Sequence, residues 1–436
     1  KAGSSARHRA TGLPGPAVVA TFSTDSGRQF QSGSDECQDD SIRLWRRLAS
    51  LLPERLCLYQ RRAEGMVEHH FVAAELARRR RANELREPAE VTPAGDMHVL
   101  VDGRRLVNFS SNDYLGLARH PLLRERATEY AVRWGNGATA SRVLAGNHPG
   151  YAAVEDRLAK LKGSEKAMVL NSGYQANVTL LPELADRHTL ILADRLNHNS
   201  LVQGAVLSRA ITRRYRHGDL DHLRALLQQN RGSEKRRVVI ATESLFSMDG
   251  DRSDIPALID LASEFEAFLY VDDAHATGLF GPEGMGIAGG DGIDLVMGTF
   301  SKACGAFGAY ASCSSALYDY LFNRCGGVVY STALPPAALG AIDAVLDVVP
   351  TMGAARQRLQ AAAARLRATL REQGWSTGLS TTHIVPVIVG AAQAALDLSR
   401  WMQEQGVLGV AVRPPTVPSG QARLRLCLSA AHTRDQ

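Results

Sequence analysis

Long apolar runs are missing from this 436-residue chain, and none approaches the ~20 residues of a bilayer-spanning helix. No membrane partner is therefore expected. Paired cysteine motifs are missing too. Cys37, Cys57, Cys304, Cys313, Cys325 and Cys427 form no C-x-x-C pair and join no tight histidine cluster, which speaks against a metal site. Scattered thiols in a large chain fit a reducing cytosol, so a cytoplasmic location is expected. An excess of charge is also lacking. Of the net +5, residues 1–65 supply +3 with ten Lys/Arg against seven Asp/Glu; the remainder holds 40 basic against 38 acidic residues. That balance gives no electrostatic case for nucleic acid. No internal repeat, low-complexity tract or secretory signal stands out.

What is present begins in earnest near Met66. Residues 1–65 are poorly patterned and carry an acidic patch from Asp35 to Asp40; a short helix is conceivable from Ser41, in SIRLWRRLASLL. They read as an N-terminal extension or misassigned start, with Met66 the natural first residue. Residues 66–110 read as a helix, rich in Ala, Glu, Leu and Arg to Ala82, then a hairpin at 98–109 turning on Asp-Gly. Over 111–335 short apolar strands such as KAMVLNS, HTLILAD, RRVVIATES, AFLYVDDA and IDLVMGTFS alternate with helical segments. This α/β pattern predicts a large domain with a mostly parallel sheet flanked by helices. Residues 336–436 predict a smaller α+β domain: a long helical region at 337–373, a strand in THIVPVIVG, a helix, and strands in VLGVAVRPP and ARLRLCLSA.

Ligands in open α/β sheets bind beyond the carboxyl ends of the strands. Polar residues collect at four such ends: Asp194, His198 and Ser200; Glu243 and Ser247; Asp272, Asp273 and His275; Thr299, Ser301 and Lys302. Lys302 follows an apolar strand and precedes the small residues ACGAFGA. A desolvated lysine has a lowered pKa and can form a Schiff base. An aspartate ending a strand about thirty residues upstream suits the pyridinium nitrogen of pyridoxal 5'-phosphate (PLP), whose protonated ring is an electron sink. A helix N-cap or structural ion pair is the plainer reading of Asp272. NSGYQAN offers a strand–Ser–Gly–helix junction able to cradle a phosphate, or simply an ordinary turn.

The stretches NFSSNDYLGL, SGYQAN, DRLNHNSL, ESLFSMDGD, VDDAHATGLFG, TFSKACGAFG, YSTALPP, RPPTVPSG and ARLRLCLSAAH occur in this order. With them the chain from Met66 to His432 resembles the α-oxoamine synthase family of fold-type I PLP-dependent transferases. The resemblance implies PLP as cofactor, Lys302 as the Schiff-base lysine and Asp272 on the pyridinium nitrogen. It implies His275 on the ring hydroxyl and His198 on the ring face. Gly173, Tyr174, Ser247 and Thr299 would hold the phosphate or ring substituents. Thr332 would reach the phosphate of a neighbouring subunit, in a homodimer with shared sites. Arg425 would hold the amino-acid carboxylate beside Asn112, and Arg86 and Thr416 would contact the acyl substrate or product. RPPTVPSGQARLR most resembles the biotin-pathway branch, an acyltransferase that joins L-alanine to pimeloyl-CoA or pimeloyl-acyl-carrier protein with loss of CO2. Other members, using glycine or serine with a different acyl-CoA, stay open at this point, as does a non-catalytic regulatory module.

The chain departs from the family pattern at three places. Tyr151 stands where the family often has His, and Ala306 and Ala309 replace common glycines, which is tolerable at negative φ. The family also continues past the AAH motif with a further helix of about twenty residues, some 30 Å of helical rise, so a C-terminal domain without its last helix is expected.

Overall fold

The computed structural model describes residues 70–95, 97–231 and 237–436. By internal contacts the chain divides into two compact units, 1–75 and 76–436. Of the first, the described part is 70–75, the opening of a helix spanning His70–Arg81. The expectations for residues 1–65 lie outside the described residues.

Within the second unit the strands build three sheets. The first opens with β1 (Val91–Pro93), β2 (His98–Val101) and β3 (Arg104–Asn108), an antiparallel meander. The Asp-Gly turn anticipated between β2 and β3 is there. Asp102 and Gly103 have φ of +49° and +75°, the paired positive values of a type I′ two-residue hairpin turn.

The central sheet holds β4 (Lys166–Leu170), β5 (Leu190–Asp194), β6 (Ile211–Tyr215), β7 (Val238–Glu243), β8 (Phe268–Asp272), β9 (Leu295–Thr299) and β10 (Ala309–Cys313) in the order β4-β10-β9-β8-β7-β5-β6. β10 alone runs against its neighbours. Residues alternate between two apolar layers. Ile191 and Ala193 join the core under the helices Gly173–Leu184 and Asn199–Leu207. Leu190 and Leu192 join the core under Leu220–Gln228 and Ile255–Glu264. Burial on both faces explains why these strands read as unbroken apolar runs. The shared direction of β5, β7, β8 and β9 brings their carboxyl ends to one edge.

The third sheet comprises β11 (Ile384–Gly390), β13 (Ala411–Val412) and β14 (Ala422–Cys427). The stretch VLGVAVRPP does not form one strand. Its first part, β12 (Val407–Leu408), leaves this sheet and pairs in parallel with β3. The helical region at 337–373 is two helices, Pro336–Thr351 and Gly353–Glu372, bent by 73°. Pro350 and Gly353 flank the break and weaken a continuous helix there. Among the described residues no single helix is long and apolar enough to cross a membrane.

Candidate active site

The strand ends and the N-terminus of the helix Gly173–Leu184 enclose a cavity of about 270 Å³. Lys302 projects into it three residues after β9, and its Nζ has no hydrogen-bond partner among the described residues. Burial pulls the ammonium down to about 8, against the attraction of Asp272 and Glu243. A share of neutral amine is therefore available near neutral pH. Asp272 ends β8 in the same wall. Its Oδ2 accepts from Asn177 Nδ2 at 2.7 Å and its Oδ1 from the Ala274 amide at 2.9 Å, contacts that fix the direction of the carboxylate. Asn177 is itself held, donating to Ser200 Oγ at 2.8 Å and accepting from the Tyr270 hydroxyl at 2.8 Å.

His198 caps the helix Asn199–Leu207, its Nδ1 lying 2.7 Å from Ser200 Oγ. Its amide donates to Glu243 Oε1 at 2.5 Å. Burial lowers the imidazole, Asp272 opposes that fall, and Lys302 adds to it. Glu243 pairs in register with Asp272 across β7 and β8; burial and that neighbour push its carboxyl well above the usual range. At the opposite end, Ser172 caps the helix Gly173–Leu184 by accepting the Gln175 amide at 3.2 Å. The amides of Gly173 and Tyr174 lie in the first turn, where a helix supplies no partner and attracts anions. A Cβ at Gly173 would meet only ordinary contacts, the nearest being Thr299 Cβ at 3.6 Å. Packing alone therefore does not demand glycine here, whereas a ligand seated on the amides would.

Beside this cavity Arg425, buried in β14, donates from Nε to the Ser247 carbonyl at 2.5 Å, from Nη1 to Asn112 Oδ1 at 3.0 Å and from Nη2 to the Tyr114 hydroxyl at 3.1 Å. Three of its five N–H groups are thus used, and two remain for a carboxylate. The Tyr114 hydroxyl also lies 2.8 Å from His275 Nδ1. Burial, with Lys302, Arg425 and His383 nearby, holds His275 far below the usual imidazole range.

Gly173, Tyr174, His198, Asp272, His275, Thr299 and Lys302 thus line one cavity. Asn112 and Arg425 adjoin it through Tyr114 and His275. Ser247 reaches the group through its backbone carbonyl on Arg425. Arg86 and Thr416 line a second cavity, of about 340 Å³, and bond each other at 2.9 Å. Met248 also lines that cavity, one residue from Ser247. Thr332 lines neither cavity; it is exposed, and its carbonyl accepts from Asn171 Nδ2 at 2.8 Å. Tyr151 is buried with its ring under the Arg142 guanidinium, and its hydroxyl accepts the Leu334 amide at 2.9 Å. Ala306 and Ala309 do not adopt positive φ. Asn177 and Tyr114 were not singled out from the sequence. Both sit inside quoted motifs, and each is a polar group one turn or two residues from a recognised site residue, which is the signal that could have found them.

The pattern that defines the aminotransferase class I and II family matches residues 104–436. A protein of Gluconacetobacter diazotrophicus named 8-amino-7-oxononanoate synthase is 51% identical over 346 residues, 78% of this chain and 87% of the relative. A high-resolution structure of SPT with PLP superposes with a TM-score of 0.78 at 25% identity, covering 83% of this chain and 94% of that one. The crystal structure of 8-amino-7-oxononanoate synthase from Francisella tularensis superposes with a TM-score of 0.66 at 26% identity, covering 76% and 94%. The chain belongs to the aminotransferase class I and II family and, within it, to the PLP-dependent α-oxoamine synthases.

Proposed function

We propose that this enzyme joins L-alanine to a pimeloyl thioester, carried on CoA or acyl-carrier protein, releasing CO2 and the thiol to give 8-amino-7-oxononanoate for biotin biosynthesis. The observation that carries the reading is one cavity in which a lysine without a hydrogen-bond partner among the described residues faces an anchored aspartate, with a buried arginine holding spare donors alongside. PLP, when bound, supplies an electron sink for negative charge at the amino acid's α-carbon. The donor set fits it at every end. Gly173 and Tyr174 offer amides to a phosphate, with Thr299 alongside. Asp272 offers a carboxylate to a ring nitrogen, and His275 and His198 would contact the ring hydroxyl and the ring face. Lys302 would hold the group through Nζ and, once displaced, take the α-proton and return it, a step for which a lowered pKa suits it.

Arg425 would bind the alanine carboxylate with its two remaining N–H groups, beside Asn112. Ser247 would steady that arginine through its carbonyl. The second cavity has an apolar side of Met248, Val410, Ala411 and Val412, which suits an acyl chain, and a polar side of Arg86, Arg413, Glu84, Glu87 and Thr416. A homodimer is part of the reading. Leu144 and Tyr330 are 78% and 87% exposed close to Thr332, and an apolar patch of this kind favours burial against a second copy. From there Thr332 would reach the partner subunit's phosphate.

Assays pairing alanine, glycine or serine with pimeloyl-CoA or acetyl-CoA test the substrates. Alanine with the pimeloyl thioester is expected to give the highest kcat/KM, and a clear preference for glycine with acetyl-CoA would overturn the assignment. Sedimentation is expected to show a dimer; a fully active monomer would remove the shared-site reading.

A further inference from the structure

The hydrogen bonds around Arg425 leave no freedom in where one proton lies. An arginine has donors only. Because Arg425 Nη1 donates to Asn112 at 3.0 Å, the amide atom facing it must be the oxygen. That oxygen lies 2.8 Å from the Tyr114 hydroxyl, so the phenol must donate to it. Tyr114 has one proton to give, and this contact uses it. The phenol oxygen also accepts from Arg425 Nη2 at 3.1 Å. His275 Nδ1, at 2.8 Å, must therefore be the donor in its own contact with the phenol. The phenol stays protonated in this setting, because burial holds it above its ordinary range against the pull of Arg425. The imidazole stays neutral, because burial dominates it. One proton on Nδ1 then leaves Nε2 bare, on a ring that lines the cavity and has no second partner among the described residues.

We propose that Tyr114 is a positioning residue that fixes the His275 proton on Nδ1, so that Nε2 presents an acceptor to the cavity, and that the same hydroxyl ties this setting to the Arg425 guanidinium. The placement of the proton rests on this chain's own groups. The use of that acceptor for a donor on PLP rests on the reading of the cavity as a PLP site. The device has a physical purpose. A neutral imidazole has one donor and one acceptor, and with the proton on Nδ1 it is the acceptor that faces the cavity, where a ligand hydroxyl can donate to it. Tyr114 also suits the role by its packing: it is fully buried, with its ring edge-on to His383 at a centroid distance of 4.0 Å. The ring is held by apolar contact while its single polar atom serves three neighbours.

Nitrogen NMR of the full chain with labelled histidine tests the proposal, with His275 identified through the His275→Gln variant and spectra taken with PLP bound and after its removal. The parent protein is expected to show Nδ1 protonated and Nε2 bare in both states. Tyr114→Phe keeps the ring and loses the hydroxyl, and it is expected to lose this single-tautomer pattern. Asn112→Leu keeps the phenol but frees its proton to donate to Nδ1, and it is expected to move the histidine proton to Nε2. A parent protein protonated on Nε2, or either variant leaving the tautomer unchanged, overturns the proposal. If one variant fails to fold, the other and the parent spectrum still decide. The PLP arm is separate. Loss of the oriented acceptor in Tyr114→Phe is expected to weaken PLP binding about tenfold, the worth of one hydrogen bond to a buried acceptor. A parent protein that shows the Nδ1 tautomer but binds no PLP would sink the cavity assignment and leave the tautomer assignment standing.

Discussion

Asp272 and Asp273 are consecutive residues, and each lies beside a buried lysine, yet the two pairs are in opposite states. Lys162 is saturated. Its Nζ lies 3.3 Å from Asp273 Oδ2, 2.7 Å from the Met285 carbonyl and within hydrogen-bond reach of the Ala288 carbonyl. Asp273 is equally engaged, accepting from Ser244 Oγ at 2.5 Å and from the amides of Ile287 and Ala288. Burial pulls Lys162 down and Asp273 up, and their mutual attraction works against both shifts. Lys302 has no such partner among the described residues and faces a cavity. A buried charge whose every donor is matched stabilises one geometry, whereas one left unmatched beside open space is available for chemistry.

The largest expected effect separates the two lysines outright. Lys302→Ala should keep the fold, lose the borohydride-fixed PLP adduct on its peptide, and lose activity by about 10²–10⁴-fold through proton transfer alone. An adduct mapped by peptide mass to Lys162 or elsewhere would erase the contrast. Lys162→Met is expected to act on stability, because it strands Asp273 in the interior at a cost of about 3–5 kcal/mol. Urea denaturation reads this as a lower midpoint. An unchanged midpoint with lost turnover would mean that the buried pair serves the reaction and not the frame.

A smaller effect concerns a partly buried cation near the same edge. His217 bridges Asp194 and Asp251 at 2.9 Å each. Burial pulls its pKa down, but the hydrogen bonds and charge of the two carboxylates outweigh it and raise the imidazole to about 10. The folded value lies above the ordinary 6.5, so the stabilisation is complete below pH ~6.5 and fades as pH rises toward about 10. Stability measured across that window should fall with pH in the parent protein, and the slope should shrink in His217→Gln. Equal slopes in both would show that this clasp contributes nothing.

Much of the frame could be read from the chain because its signals are local. Apolar strands ended where polar clusters began, and the Asp-Gly turn required φ values that few residues tolerate. The elements that escaped notice are those whose pattern depends on position in the sheet. β6 exposes four of its five residues at the sheet edge, including Arg213 and Arg214, and so lacks an apolar signature. β10, apart from Tyr310, is made of small residues and gains strand character from being sandwiched between β4 and β9. The split of β12 from β13 reflects a distant pairing with β3, which no local window contains. The site followed the same division. Lys302, Asp272, His198 and His275 stand out by type and by place at strand ends, whereas Asn177 and Tyr114 matter through what they touch.

By itself the sequence determined that Asp272 and Asp273 stand together at the end of an apolar strand. It determined too that Lys302 follows an apolar strand and that a Ser-Gly junction opens a helix. Which of the two would be matched by Lys162 and which would face the open cavity before Lys302 was decided only by the tertiary structure. The same holds for the proton on His275, fixed by Asn112, Tyr114 and Arg425 across some three hundred residues of chain. The physical reason is common to both. A backbone direction is a local property, but the state of a buried polar group is set by the full count of donors and acceptors around it, and that count exists only after the strands and loops have met.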